Sequence, residues 1–185
     1  MQYIRIKLLL CALLSFVIIC SVPMTASAES AGKINRDAQK ALQKLYAESE
    51  SAKDLGEKAK AILVFPAITK GGFIVGGLYG EGALLKSGNV AAYYNTIAVS
   101  YGLQAGLQKY GYVLFFMTDS AVKYLDKSDG WEFGTGPTIV VVDKGASASL
   151  STTTAKSDVY AFFFSQKGLM AGLGLQGTKI TKINK

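Results

Sequence analysis

From Ile97 to Gln108, apolar residues and small or polar residues alternate one for one. Ile97, Val99, Tyr101, Leu103, Ala105 and Leu107 fall on one side; Thr96, Ala98, Ser100, Gly102, Gln104, Gly106 and Gln108 fall on the other. A period of two predicts an extended strand with an apolar, buried face and a second face of small or polar groups. The strand lies within Gly71–Met117, a stretch rich in glycine and nearly free of charge. Glycine inside a strand marks a place where another backbone, a sharp bend or a ligand comes close. Two continuous apolar runs, Ala61–Phe65 before Pro66 and Tyr112–Met117, suit strands buried on both faces.

Helical spacing appears on the N-terminal side. Ile34, Ala38, Ala41, Leu42, Leu45 and Tyr46 recur at a period that predicts an amphipathic helix, with Asn35 placed to cap it. Its polar side carries Lys33, Arg36, Lys40 and Lys44 with Asp37 and Glu48 among them, either as a solvated face or as a contact for anionic membrane. A short second helix is expected over Ala52–Lys60. Ser87-Gly88-Asn89 predicts a turn between the glycine-rich strand and Val90–Tyr94. Thr118 is placed to cap a helix carrying Ala121, Val122, Tyr124 and Leu125.

Farther on, Asp129-Gly130 turns into Trp131 and Phe133, Gly134–Pro137 turns again, and Thr138–Val142 is a β-branched strand. Gly145–Thr154 is a loop or an edge strand. Val159–Ser165 and Leu169–Leu175 read as a closing pair joined at Gln166-Lys167-Gly168, followed by a β-like basic end, Thr178–Ile183. Strands outnumber helices and most connections are too short for helical crossovers. The expected fold is α+β: a mostly antiparallel, glycine-rich sheet core with the N-terminal amphipathic helix and short helices packed to one side.

The first 28 residues read differently. Arg5 and Lys7, the apolar run Leu8–Val22 and Ala26-Ser27-Ala28 have the order of a secretory signal peptide cleaved after Ala28. Residues 29–185 are then one exported domain, periplasmic or extracellular, and peripheral to a membrane if it binds one. Both cysteines, Cys11 and Cys20, fall in the leader, so the mature chain relies on its core without a disulfide. Removing Arg5 and Lys7 leaves 18 basic against 13 acidic side chains, a net charge of +5 where the whole chain has +7. That mild excess is compatible with anionic lipid or another polyanion.

The sequence offers little for catalysis. It contains no histidine, and its serines have neither a histidine nor an SxxK lysine to activate them. Gly77, Gly80 and Gly82 loosely resemble a phosphate loop, but Ala83-Leu84-Leu85 leads to a turn where such a loop needs a helix. Asp119, Asp126, Asp129 and Glu132 read as caps and solvated turn residues, not a metal set. Glu81, among apolar neighbours, is a strand-rim residue or the partner of a buried lysine. Tyr93, Tyr94, Tyr101, Tyr110, Tyr112 and Trp131 read as core aromatics and not as a platform for nucleic acid. The expectation is a non-enzymatic protein with no cofactor and no metal.

AKAILVFPAITKGGFIVGGLYGEGALL, AAYYNTIAVSYGLQAGLQKYGYVLFFMTDSAV, SDGWEFG and FFFSQKGLMAGLGLQGTKITKI together resemble the SYLF domain, over about Asp37 to Ile183. That family is described as an actin regulator binding a yeast WASP homologue, and the nearest likeness is to its secreted bacterial members. Eukaryotic members bind phosphoinositide-containing membranes, partly through basic and amphipathic N-terminal segments. The resemblance therefore implies affinity for anionic lipid headgroups or a membrane surface. Lys33, Arg36, Lys40 and Lys44 on the first helix, with Lys58, Lys60 and Lys70, are its lipid-binding candidates. It implies no catalytic residue and leaves the protein partner unknown. A small outer-membrane β-barrel or an envelope structural protein is the alternative, because a leader precedes alternating, glycine- and aromatic-rich strands.

Overall fold

The computed structural model describes residues 29–127, 130–142, 157–167 and 177–185, without the side chains of 73–75, 100–106 and 166–167. Two helices come first. α1 (Ala31–Glu48) is capped by Ser30, whose hydroxyl accepts from the Lys33 amide, and it buries Ile34, Ala38, Leu42 and Leu45. The helix thus begins before Asn35, the expected cap, which lies inside it with its side-chain oxygen buried and unpartnered among the described residues. α2 (Glu50–Lys58) is capped by Ser49 and starts earlier than Ala52.

A single long hairpin forms the centre. β1 (Ala61–Lys86) and β2 (Asn89–Phe116) are antiparallel, and each joins stretches that the sequence suggests as separate strands. Pro66 does not end β1, because it falls where the register slips between Phe65 and Ile68 and no ladder bond is needed from it. The turn occurs at Ser87-Gly88 as expected. Both residues are left-handed, with φ of 50° and 78°, as a two-residue hairpin turn requires.

The other edge of β2 receives two shorter strands, both antiparallel. β5 (Val159–Lys167) pairs with its C-terminal end, and β6 (Lys179–Ile183) pairs with Tyr93–Ile97. β3 (Trp131–Glu132) extends the sheet beyond β6, and β4 (Ile139–Val142) lies parallel to β5. β5 runs through Gln166 and Lys167, where the closing-pair reading places a turn; Ser165 instead absorbs a register slip with a left-handed φ of 54°. Asp129, Gly145–Thr154 and Leu169–Leu175 lie outside the described residues. α3 (Asp119–Lys127) follows β2, with the Thr118 hydroxyl accepting from the Ala121 amide as its cap.

The hairpin curls until β1 meets itself. A Cβ on Gly82 would strike the Val64 carbonyl oxygen and the Phe65 ring; one on Gly80 would press on Ile68 and the Ala67 carbonyl. These glycines therefore serve close backbone approach. The curl creates two cores. Leu63, Phe65, Leu84, Tyr94, Tyr112, Leu114, Phe116 and Trp131 fill the inner one, which α3 closes with Ala121, Val122 and Leu125. Val64, Ala83, Leu85, Val113, Phe115 and Phe162 form the outer one under α1 and α2. The sheet is mostly antiparallel and the fold is α+β, but the helices flank both faces and are not gathered on one.

At Ile97, Val99 and Leu107 the alternation has the opposite sense to the one expected; the side chains of Tyr101, Leu103 and Ala105 lie outside the described residues. Tyr94, Thr96 and Ala98 face the inner core, while Ile97, Val99 and Leu107 are exposed on the outer face. The reason is the phase of β2. Tyr110, Tyr112, Leu114 and Phe116 hold even positions inside, and beyond the register shift between Gly106 and Gly102 the even positions Tyr94, Thr96 and Ala98 are inside again, which leaves Ile97 and Val99 outside. Thr96 is accepted inside because the Tyr112 hydroxyl donates to its oxygen over 2.9 Å.

Candidate functional site

Among the described residues, the outer face of the sheet has a covered part and a bare part. Near the hairpin turn, α1 and α2 lie over Ala83, Leu85 and Tyr93. Past the start of α1, the face continues through Tyr79 paired with Ile97, Gly77 paired with Val99, and Gly71 paired with Leu107. Val99 is 63% exposed and Leu107 66%, values out of keeping with side chains of their hydrophobicity. Lys109 and Lys179 are exposed at the two ends of this strip. Lys109 follows Leu107 on the same side of β2, and Lys179 pairs with Ile97. Among the described residues neither makes an ion pair.

The seven sequence candidates do not form one cluster. Lys33, Arg36, Lys40 and Lys44 line the solvated side of α1, above the same outer face. Lys33 is already committed: its ammonium binds Glu29 at 2.7 Å and Asp37 at 2.9 Å, and these hydrogen bonds, Glu29 first, raise its pKa. Lys44 sits 3.8 Å from Glu48, whereas Arg36 and Lys40 form no ion pair among the described residues. Lys58 ends α2, and Lys60 lies at the junction where its amide donates to the Phe116 carbonyl. Lys70 is half-exposed opposite Gln108 in the hairpin. Lys109, which continues the alternation of Ile97–Leu107, is not among the seven candidates. Nor is Lys179, whose place between Ile97 and Glu132 follows only from strand pairing.

Glu81 marks the boundary between the covered and bare parts. Its carboxylate accepts from Lys185 Nζ at 2.8 Å, from the Glu29 amide at 3.1 Å and from the Tyr79 hydroxyl at 2.6 Å. The buried lysine partner is therefore real, with side-chain exposures of 9% for Lys185 and 5% for Glu81. Burial works to raise the Glu81 pKa, but the hydrogen bonds from Lys185 and Tyr79 outweigh it and hold the pKa below its ordinary value. The Tyr79 hydroxyl is pushed up to about 12, by burial first and then by its bond to Glu81. Lys185 is 104 positions from Glu81, so no local pattern could have named it.

Other charged groups are structural. Asp158, unremarked in the sequence, accepts from the Thr118 hydroxyl at 3.0 Å and from the Thr138 amide and hydroxyl at 3.1 and 2.9 Å. These bonds, the Thr138 amide first, lower its pKa and tie the ends of β2, β4 and β5 together. Asp126 accepts from Tyr94 and Lys86, and no three acidic side chains among the described residues could hold a metal. Tyr94, Tyr110, Tyr112 and Trp131 are buried in the inner core, as expected of core aromatics. A cleft of about 460 Å³ opens between the helices and the sheet, bordered by Leu42, Tyr46, Lys53, Glu57 and Leu85.

A known family recognises the C-terminal part of this chain. Residues 97–185 match the Ysc84 family, Las17-binding protein actin regulator. This is the SYLF family that the sequence resembles. The match takes in β2 from Ile97 onward, α3 and β3 to β6; α1, α2 and β1, which the resemblance also partly includes, lie before it. No curated protein matched the chain.

Proposed function

We propose that this is an exported, non-catalytic domain that rests on the surface of anionic lipid through the outer face of its hairpin. The observation that carries the reading is the exposed strip of Tyr79, Ile97, Val99 and Leu107 with Lys109 and Lys179 at its ends. Apolar side chains left bare on a folded surface mark a binding face, and cations around them suit headgroups of opposite charge. Arg36, Lys40 and Lys44 project from α1 on the same side of the sheet and extend the positive field. The family match supports a lipid-binding or actin-regulator-related domain, and the leader favours lipid over actin as the partner.

The outer-membrane barrel reading is not favoured. A barrel spanning a bilayer needs a lipid-facing outer surface, whereas α1 and α2 cover Val64, Val113 and Phe115 here.

Cosedimentation of the mature chain with anionic and with neutral vesicles at low salt tests the proposal. Binding to the anionic vesicles, weakened by salt, is expected. Each lysine near such a surface contributes about 1 kcal/mol, so Lys109→Glu with Lys179→Glu should weaken binding well over tenfold. Lys40→Glu with Lys44→Glu should weaken it less, because Lys44 has Glu48 beside it. Equal failure of the unaltered protein on both vesicle types overturns the reading.

A further inference from the structure

The Glu81 cluster has an imbalance of charge. Three carboxylates, from Glu81, Glu29 and Asp37, are linked through hydrogen bonds to two ammoniums, from Lys185 and Lys33. One negative charge is left over on the exposed side, where Glu29 and Asp37 share Lys33, while the buried Glu81 has Lys185 alone. The Lys185 ammonium also donates to the Glu29 carbonyl at 2.9 Å, so Glu29 is fixed on both sides of its own Cα. Its nitrogen, 3.1 Å from Glu81 Oε2, is the atom that a cut after Ala28 would convert from an amide into an amine.

We propose that leader removal completes this cluster: the new α-ammonium of Glu29 becomes the third cation and pairs with Glu81. The inference rests on the exported reading above, through the cleavage it assumes. A signal peptidase hydrolyses the Ala28–Glu29 bond; water's hydroxyl goes to the Ala28 carbonyl, and the nitrogen leaves with the proton and takes up another at neutral pH. Glu81 then faces two cations, Lys185 and the α-ammonium, and the charges of the linked groups balance. The precursor has only a neutral N–H at this place, so processing strengthens the contact that fastens α1 to β1 and to the segment after β6. The boundary of the bare strip becomes firm only in the mature chain.

The groups facing the amine set the direction of its titration. Glu81 at 3.1 Å raises its pKa, the Glu29 and Asp37 carboxylates add to this, and Lys185 and Lys33 oppose it. Tyr79 stays neutral through the range, since its pKa is near 12. With the net surplus negative, the folded pKa lies above the unfolded value. The added stability is therefore present below about pH 8, the ordinary range of an α-amine, and is lost as pH rises through the folded pKa.

Two chains, one starting at Glu29 and one at Ala28, test this, because the extra residue moves the charged nitrogen off Glu81. The amine of the Glu29 chain should titrate about one unit higher, with acylation near pH 8 slowed several-fold relative to the Ala28 chain. The melting temperature of the Glu29 chain should exceed that of the other at pH 6, with the gap closing by pH 10. Glu81→Gln should abolish both differences. Identical amine titration in the two chains overturns the pairing, as does a difference that survives Glu81→Gln. Should Glu81→Gln not fold, the titration of the unaltered chains still decides. Intact mass of the exported protein must show Glu29 first; any other terminus overturns the role of processing. Vesicle binding is read separately, so failure here is distinct from failure of the lipid reading.

Discussion

The two parts of β2 have similar apolar content and opposite fates. Tyr112–Phe116 is buried on both faces, between α3 and the aromatic inner core on one side and the helices α1 and α2 on the other. Ile97, Val99 and Leu107 belong to the same strand and the same outer face as Val113 and Phe115, yet are bare. The difference lies in what lies above them. Strand periodicity assigns side chains to faces, but only a second layer decides whether a face is core or surface. Glu81 stands at the seam, where α1 begins and its cover ends.

The largest effect is expected at the covered end. Phe115 is fully buried, packs edge-on to Phe162 with ring centres 5.5 Å apart and lies near Tyr46. Phe115→Ala should lower the unfolding free energy by about 3–5 kcal/mol, read from urea denaturation. A loss under about 1 kcal/mol would mean that the helices do not seal that face.

A smaller effect is expected at the Asp158 clasp, which holds the same end together from its rim. Its folded pKa is depressed, so its contribution is present above the unfolded value near 3.9 and lost as pH falls through the folded value. Asp158→Ala should reduce stability at pH 7 by about 1 kcal/mol after allowance for solvent, and should shrink the acid-induced loss below pH 4. An unchanged acid profile in the variant would remove Asp158 as the titrating group.

The smallest change in stability is expected at the bare end. Val99→Ser with Leu107→Ser should alter unfolding by no more than about 0.5 kcal/mol, because neither side chain leaves water on folding to any large extent. The same variant should bind anionic vesicles more weakly. A large loss of stability would show that the strip is covered in the folded protein and erase the contrast with Phe115.

Some of this was determined by the sequence alone. The two-residue period of Ile97–Gln108, the apolar runs Ala61–Phe65 and Tyr112–Met117, the Ser87-Gly88 turn, the Thr118 cap and the apolar stripe of α1 are local, set by backbone preference and side-chain spacing. So was the oddity of Glu81, a carboxylate in an apolar strand, which the sequence left as a rim residue or the partner of a buried lysine. Tertiary structure alone decided which cation, since Lys185 arrives through β6 pairing with β2 beside β1. It also joined the strands across Pro66, where a bulge removed the need for an N–H. It set the side of β2 on which Ile97 and Val99 lie, because Tyr94 and Thr96 pack inside with Tyr112 and leave the odd positions outside. Alternation is symmetric under exchange of the two faces. Only the curl of the hairpin and the place where α1 begins make one face the core and leave the other to water.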